Sequence, residues 1–407
     1  MKLSRAFIKM FVGILGVFLL LTGVEYAFGV FDVLEDNRSE TLQTGTWTAG
    51  TPIYTAQEFY DFATSSTSST TDHYYLANDI DFTGFTWNYD PAFDTNQFQG
   101  AFSGNDFTLS NITMTTTGTS AKMMSLFSRI NGATIRDVKI ENYTMLVSTT
   151  FINTSNAQSA VFASEVTGTN NLFENIRMDN INLIATSLKG TAAVVAQVQA
   201  NADITLKNIK IQNLTAISSS KRAGGLISRV LEGTGVVLIE DVDVQGNISA
   251  NNSISYTGGL IGTLQNVDCT VNRAIIEYTA EGTIALTDGS VTYKSNKHAG
   301  GFIGNNRSVN FTLTDAFYTG TLYTVYGNMG SAIGREQQTP TMVNTYYSNV
   351  LFNDTYVAPT TTTGLHGTLV NESSMPNVAW WNGFAVNFFT VNSLWLQDGT
   401  GRLYLEE

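Results

Sequence analysis

The sequence predicts an all-β fold, a parallel β-helix with about three short strands per coil. Three observations lead there. An apolar pair returns as Leu126-Phe127, Val161-Phe162, Val194-Val195, Leu226-Ile227, Leu260-Ile261, Phe302-Ile303 and Ala332-Ile333, at intervals of about 30–42 residues, the range of repeat architectures. Each pair is followed by a small residue: Ser128, Ala163, Ala196, Ser228, Gly262, Gly304 or Gly334. A second phrase, polar-apolar-any-apolar, appears as "NITM" (111–114), "DVKI" (137–140), "NIRM" (175–178), "NIKI" (208–211), "DVDV" (241–244), "RAII" (273–276), "DAFY" (315–318) and "NTYY" (344–347). That period of two belongs to a strand with one buried face. The third observation is composition. Of the 407 residues, 43% are hydrophobic and only 14% charged, and the uncharged polar share is filled by Thr, Ser and Asn, which suit turns and strand surfaces.

Residues 1–29 read as a signal peptide or N-terminal membrane anchor. Lys2, Arg5 and Lys9 precede the uncharged run "MFVGILGVFLLLTGV", which ends at Glu25. That run is shorter than the roughly 18–20 residues of a spanning helix and fits the apolar region of an export signal. Ala27 and Gly29 suit cleavage after Gly29; the alternative is an uncleaved anchor from Met10 to about Phe31. Either way the positive end stays inside and the remainder is exported. Residues 30–51 form a linker, 52–110 an N-terminal cap and first coil, 111–350 the repeats, and 351–407 an aromatic C-terminal cap. Caps are needed because an open coil exposes unpaired strand edges. "YTAQEF" has the capping-box spacing Thr55-x-x-Glu58, with Tyr54 and Phe59 at stapling positions, so a short helix is expected to about Ala63.

One repeat cannot bury its own apolar face, but stacking pairs each strand with its equivalent about 4.8 Å away. The phrase then predicts two inward columns. One is Ile112, Val138, Ile176, Ile209, Val242, Ala274 and Ala316; the other is Met114, Ile140, Met178, Ile211, Val244, Ile276 and Tyr318. A looser third strand follows as "INLIATS", "LTAISSS", "GTIALTD" and "GTLYTVY". Gly224-Gly225, Gly258-Gly259 and Gly300-Gly301 are expected at a corner before the first strand, where a positive φ or a missing Cβ serves the turn. Gly262 and Gly304 let the chain turn again.

Here a resemblance enters. "YYLANDIDFTGFTW", "FQGAFSGNDFTLSNITM", "GGLIG" and "GGFIG", with the ending "W…DG.G.L.L", resemble bacterial surface proteins with the GLUG motif over about residues 52–407. The early coils, with "SLFS", "AVFA" and "AVVA", lack the double glycine. The resemblance implies a right-handed β-helix, an extracellular location and an adhesin-like role. It supplies no catalytic residue.

The net charge of −13 argues against nucleic acid as a partner, since such binding rests on Lys and Arg neutralising phosphates; membrane contact is expected only through the N-terminal segment, if it stays uncleaved. The single Cys269 reads as a buried apolar thiol. Eleven Asn-x-Ser/Thr sequons, among them Asn111, Asn142, Asn213 and Asn310, are about what this composition yields by chance. No cofactor or metal site is expected. Enzymes on such scaffolds that cut acidic polysaccharides need paired carboxylates or calcium with a base. Asp241 with Asp243 and Asp79 with Asp81 have that spacing, yet Asp241 falls where most coils carry Asp or Asn, as in a polar ladder. The outward position of the phrase is more informative: Lys139, Arg177, Lys210, Asp243, Ile275, Phe317, Tyr346. Lys139, Arg177 and Lys210 form a basic column suited to an anionic glycan, and Phe317 and Tyr346 an aromatic one suited to sugar rings. Acidic neighbours could instead neutralise the first half, and residues 351–407 could fold over the second. The sequence therefore points to an exported, adhesin-like protein that binds a glycan or another cell surface. A polysaccharide lyase or glycoside hydrolase, and a passive envelope spacer, are the alternatives.

Overall fold

A computed structural model describes residues 48–406 except 65–71, 88–96, 117–122, 148–157, 186–189, 219–220, 252–253, 287–288, 296, 326, 355–363 and 390–393. The expected signal or anchor lies outside the described residues. Among those described, no helix is long and apolar enough to cross a membrane.

The described chain winds into a right-handed parallel β-helix whose strands line up in three parallel sheets. One sheet holds the long strands Thr134–Val147, Asn171–Ala185, Ile204–Ser218, Val236–Ala250, Asp268–Thr279, Phe311–Leu322 and Thr341–Phe352, each paired with its equivalent in the next coil. Short strands such as Arg222–Gly224 and Ile227–Val230 build the other two. The alternating phrase and most of the looser third strands are thus parts of one long bent strand.

Its bends come from residues in the left-handed region. Asp137, Asn175, Asn208, Asp241, Arg273, Asp315 and Asn344 stack one above another with φ between 49° and 57°. Asn and Asp tolerate that conformation because a short polar side chain bonds locally. Here the side chains also bond from coil to coil. Asn175 Nδ2 donates to Asp137 Oδ1 at 2.8 Å, Asn208 Nδ2 to Asn175 Oδ1 at 2.7 Å, and Asn344 Nδ2 to Asp315 Oδ1 at 2.8 Å. The expected polar ladder is present. Arg273, the exception in residue type, is held by an ion pair of 2.7 Å with Asp241. A second ladder joins Asn111, Asn142 and Asn180. The Nδ2 groups of Asn142 and Asn213, both in sequons, are engaged in such bonds.

Of the two reasons expected for the corner glycines, a positive φ or a missing Cβ, the second holds. Gly224, Gly225, Gly258, Gly259, Gly262, Gly300, Gly301 and Gly304 are all outside the positive-φ set. What they lack is room. A Cβ on Gly225 would fall onto the Gly259 carbonyl oxygen, and one on Gly301 onto that of Ser331. The early coils place Ala160 and Ala192 in register with Gly224 and Gly258.

The inward columns run in register from Val138 to Ala316 and from Ile140 to Tyr318, fully or almost fully buried. Ile112 and Met114 do not belong to them. Met114 pairs with Met145, and Leu109 stands beside Ile140, with Ile80 before it. "NITM" therefore corresponds to "NYTM" (142–145), because the same Asn-apolar pattern marks both ladders. "GTIALTD" is likewise not a coil strand. Glu281–Leu286 pairs antiparallel with Gly289–Lys294 as an inserted hairpin, which explains the longest repeat interval.

At the N-terminal end, helix α1 (Ala56–Thr64) forms with its capping box: Glu58 N donates to Thr55 Oγ1 at 3.2 Å, and Thr55 N to Glu58 Oε2 at 3.1 Å. Tyr54, expected as a staple, is 53% exposed, while Phe59 turns inward among Phe62, Phe82, Trp87 and Phe102. At the other end, Thr368–Asn371 pairs with the last long strand. Beyond it lie helix α2 (Val378–Phe389) and an antiparallel hairpin of Trp395–Gln397 with Leu403–Leu405.

Candidate functional site

Alternation along the long strands aims every second side chain away from the core, and pairing sets these side chains in rows one coil apart. The outward row forms as the spacing requires. Lys139 lies beside Arg177, then follow Lys210, Asp243, Ile275, Phe317 and Tyr346.

Within the C-terminal segment, residues 364–371 pair with the last coil, while helix α2 and the hairpin after it are laid along this row. Ile275 and Phe317 are buried beneath Trp381, Phe384, Phe388, Trp395, Leu403 and Leu405. Phe317 therefore cannot stack on a ligand; it is packed against Trp381, 4.8 Å between ring centroids. Tyr346 is half-buried and meets Trp380 edge-on at 5.3 Å. With Asn344, Trp380 and Phe384 it walls an open recess of about 460 Å³. The sequence had raised this covering as one option, and the alternation in "WLQDGTGRLYLE" was the signal for the hairpin that completes it.

The hairpin also reaches the basic half. Lys210 is 4% exposed and lies 5.6 Å from the Tyr404 ring. Arg177 Nε donates to the Glu406 carbonyl at 2.9 Å, while its two Nη groups donate to Ile176 O, Asn208 O and Asn208 Oδ1. Four of its five N–H donors are thus engaged, and burial lowers its pKa to about 10. Lys139 differs. It is half-buried, and among the described residues its ammonium forms no hydrogen bond or ion pair. Lys139, Arg177 and Lys210 line a recess of about 200 Å³ together with the neighbouring row of Glu141, Asp179 and Gln212. Among the described residues neither Lys139 nor Arg177 forms an ion pair with that row.

The carboxylate pairs are occupied structurally. Asp241, 1% exposed, accepts hydrogen bonds from Arg273 and from Trp395 Nε1 at 2.7 Å. Asp243 is fully buried, and burial raises its carboxyl above the ordinary range despite Arg402 and Lys210 nearby. Asp79 accepts from the Thr108 N–H, and Asp81 from Thr83 and Asn111, bonds that lower the Asp81 pKa. The Cys269 thiol is buried, which pushes its pKa up.

Replacing Trp395 with Ala should release the hairpin while leaving the coils intact. Its ring is 1% exposed and packs on Phe388, within an apolar cluster separate from the main core. Such truncations cost about 3–5 kcal/mol. Hydrogen exchange is expected to speed up at residues 395–405 and stay slow at 237–244. Equal loss in both would show that the hairpin and coils unfold as one unit.

No family model matches the chain, and no curated protein matches it. Among solved structures it is similar to one described as a "putative immunoglobulin A1 protease" from Bacteroides ovatus. The two share 12% identity with a TM-score of 0.50, over 89% of this chain and 94% of that one. At that identity the likeness speaks for the fold alone.

Proposed function

We propose that the protein is exported and acts by binding, as an adhesin-like surface or secreted β-helix whose lateral face holds a glycan. The observation that carries this reading is the Lys139 ammonium, unpaired among the described residues at the mouth of a charged recess in an acidic protein. The aromatic recess of Tyr346 and Trp380 stands on the same face, six coil spacings or about 29 Å away by strand geometry. The chemistry suits an extended sugar chain. An ammonium and the remaining Arg177 N–H would meet acidic groups, and aromatic faces would meet the rings. Export rests on the basic start and apolar run of residues 1–29, and the adhesin-like role on the GLUG resemblance.

Binding is favoured over turnover because both acidic pairs are taken up by coil-to-coil bonds or sealed beneath the hairpin. A hydrolytic reading suggested by the Bacteroides protein's name would turn to Ser331, whose Oγ is 3.3 Å from His366 Nδ1. That serine is 1% exposed, and its own N–H donates to the same nitrogen at 3.1 Å, so the imidazole fastens the terminal coil.

The test is gel retardation of the full chain in acidic and neutral polysaccharides, with each mixture assayed for new reducing ends and unsaturated products. Retardation without product is expected. The double variant Lys139→Ser, Trp380→Ala is expected to lose about tenfold or more in affinity, the scale of a charge-assisted contact. Product formation, or unchanged retention by the double variant, overturns the reading.

A further inference from the structure

We infer a second binding site, for an acidic glycan, where the two short-strand sheets meet and Arg222, Arg229, His298 and Arg335 converge. It stands apart from the Lys139 face. Arg222, Tyr256 and His298 are in register on one sheet. Arg229, Thr263, Asn305 and Arg335 are in register on the other. The sheets fold against each other at a tight corner. A Cβ on Gly262 would come within 2.9 Å of the Ala223 carbonyl oxygen, and one on Gly304 within 2.7 Å of Thr257 N. Arg335 Nη1 reaches across the corner to Tyr256 Oη at 3.4 Å.

Two independent observations mark this corner as a site. The first is uncompensated charge. In a chain of net charge −13, Arg222, Arg229, Arg307 and Arg335 have no carboxylate partner among the described residues. Beyond burial, Arg229 lowers the pKa of Arg222, and Arg307 lowers that of Arg229. Burial, Arg335 and Lys297 together hold the His298 pKa down at about 4. Like charges gathered without counter-charge favour an incoming anion.

The second is a set of buried polar atoms without partners. Arg222 Nε, Thr263 Oγ1, His298 Nε2 and Asn305 Oδ1 make no hydrogen bond among the described residues. Thr263, His298 and Asn305 are 2%, 4% and 2% exposed. His298 Nδ1 accepts the Asn328 N–H at 3.2 Å, which leaves the ring proton on Nε2 as a donor. Buried polar groups in folded proteins are nearly always satisfied, and those that are not call for an occupant. An oxyanion would accept from Arg222 Nε and His298 Nε2, and sugar hydroxyls would serve Thr263 and Asn305. The site spans four coils, about 15 Å by strand spacing, which suits an extended chain with widely spaced charges. Nucleic acid, with its dense phosphates, would be repelled by the acidic whole.

The test uses the full chain with oligosaccharides of a uronate polymer and of a sulfated glycan, with neutral dextran as control. The variant Arg222→Gln, Arg335→Gln is expected to bind the acidic sugars at least tenfold more weakly and with a shallower salt dependence. The His298 ring resonances, identified by their loss in His298→Gln, report on the unmutated chain. Bound oxyanion is expected to shift them and raise their titration midpoint, because it offsets Arg335 and Lys297 beside the Tyr256-stacked ring. The proposal is overturned if saturating acidic oligosaccharide leaves these resonances unmoved. It is also overturned if dextran or a short DNA binds the site equally well, or if the double variant folds and binds normally. A loss confined to Lys139→Ser variants would count for the other face and against this one.

Discussion

Val242→Asp is expected to abolish the folded central coils. Val242 is fully buried, in register with Ile209 on one side and Ala274 on the other. A carboxylate there has no cation within the column, and an unpaired buried charge costs several kcal/mol even after relaxation. The whole stability of a protein is about 5–15 kcal/mol. Because each coil is held mainly by its neighbours, the damage spreads to adjoining coils first. Val242→Ala, which removes only apolar volume, should cost about 2 kcal/mol. Circular dichroism melting would show a lost or much earlier transition for Asp and a modest shift for Ala. Equal melts for Asp and wild type would mean that position 242 faces outward.

The second large effect is expected at Gly259. A Cβ there would fall onto the Gly301 carbonyl oxygen and Ile276 Cγ2, with Tyr278 Cδ1 at 3.0 Å. The first of these is backbone of the adjacent coil and cannot turn away. Gly259→Val should therefore cost at least about 3 kcal/mol, the upper end for overpacking. The control is Gly383 in α2, where an added Cβ meets nothing within 4 Å. Gly383→Ala should be neutral or stabilise by up to about 1 kcal/mol, because glycine is a poor helix former. Similar melts for the two variants would remove close approach as the reason for the double glycines.

Much of this architecture was legible from spacing. Strand pairing repeats with the coil, so residues at equivalent places in each repeat had to stack, and the columns from Val138 and Ile140 onward follow. The capping box was legible because its residues are three apart and bond locally. Register at the first coil was not, because two ladders carry the same Asn-apolar pattern and only pairing distinguishes Asn111 from Asp137.

By itself, then, the sequence determined the periodic part of this protein: a stacked β-helix, its buried columns, and the outward row that runs from Lys139 to Tyr346. Only the tertiary structure decided which members of that row meet solvent. Phe317 and Lys210 are covered by residues far along the chain, through Trp381 and Tyr404, whereas Lys139 lies beyond the hairpin's last described contact. It also decided that the double glycines answer to carbonyls of the neighbouring coil rather than to their own φ. Periodicity reports which way a side chain points. What lies opposite depends on contacts between distant segments, for which sequence spacing carries no signal.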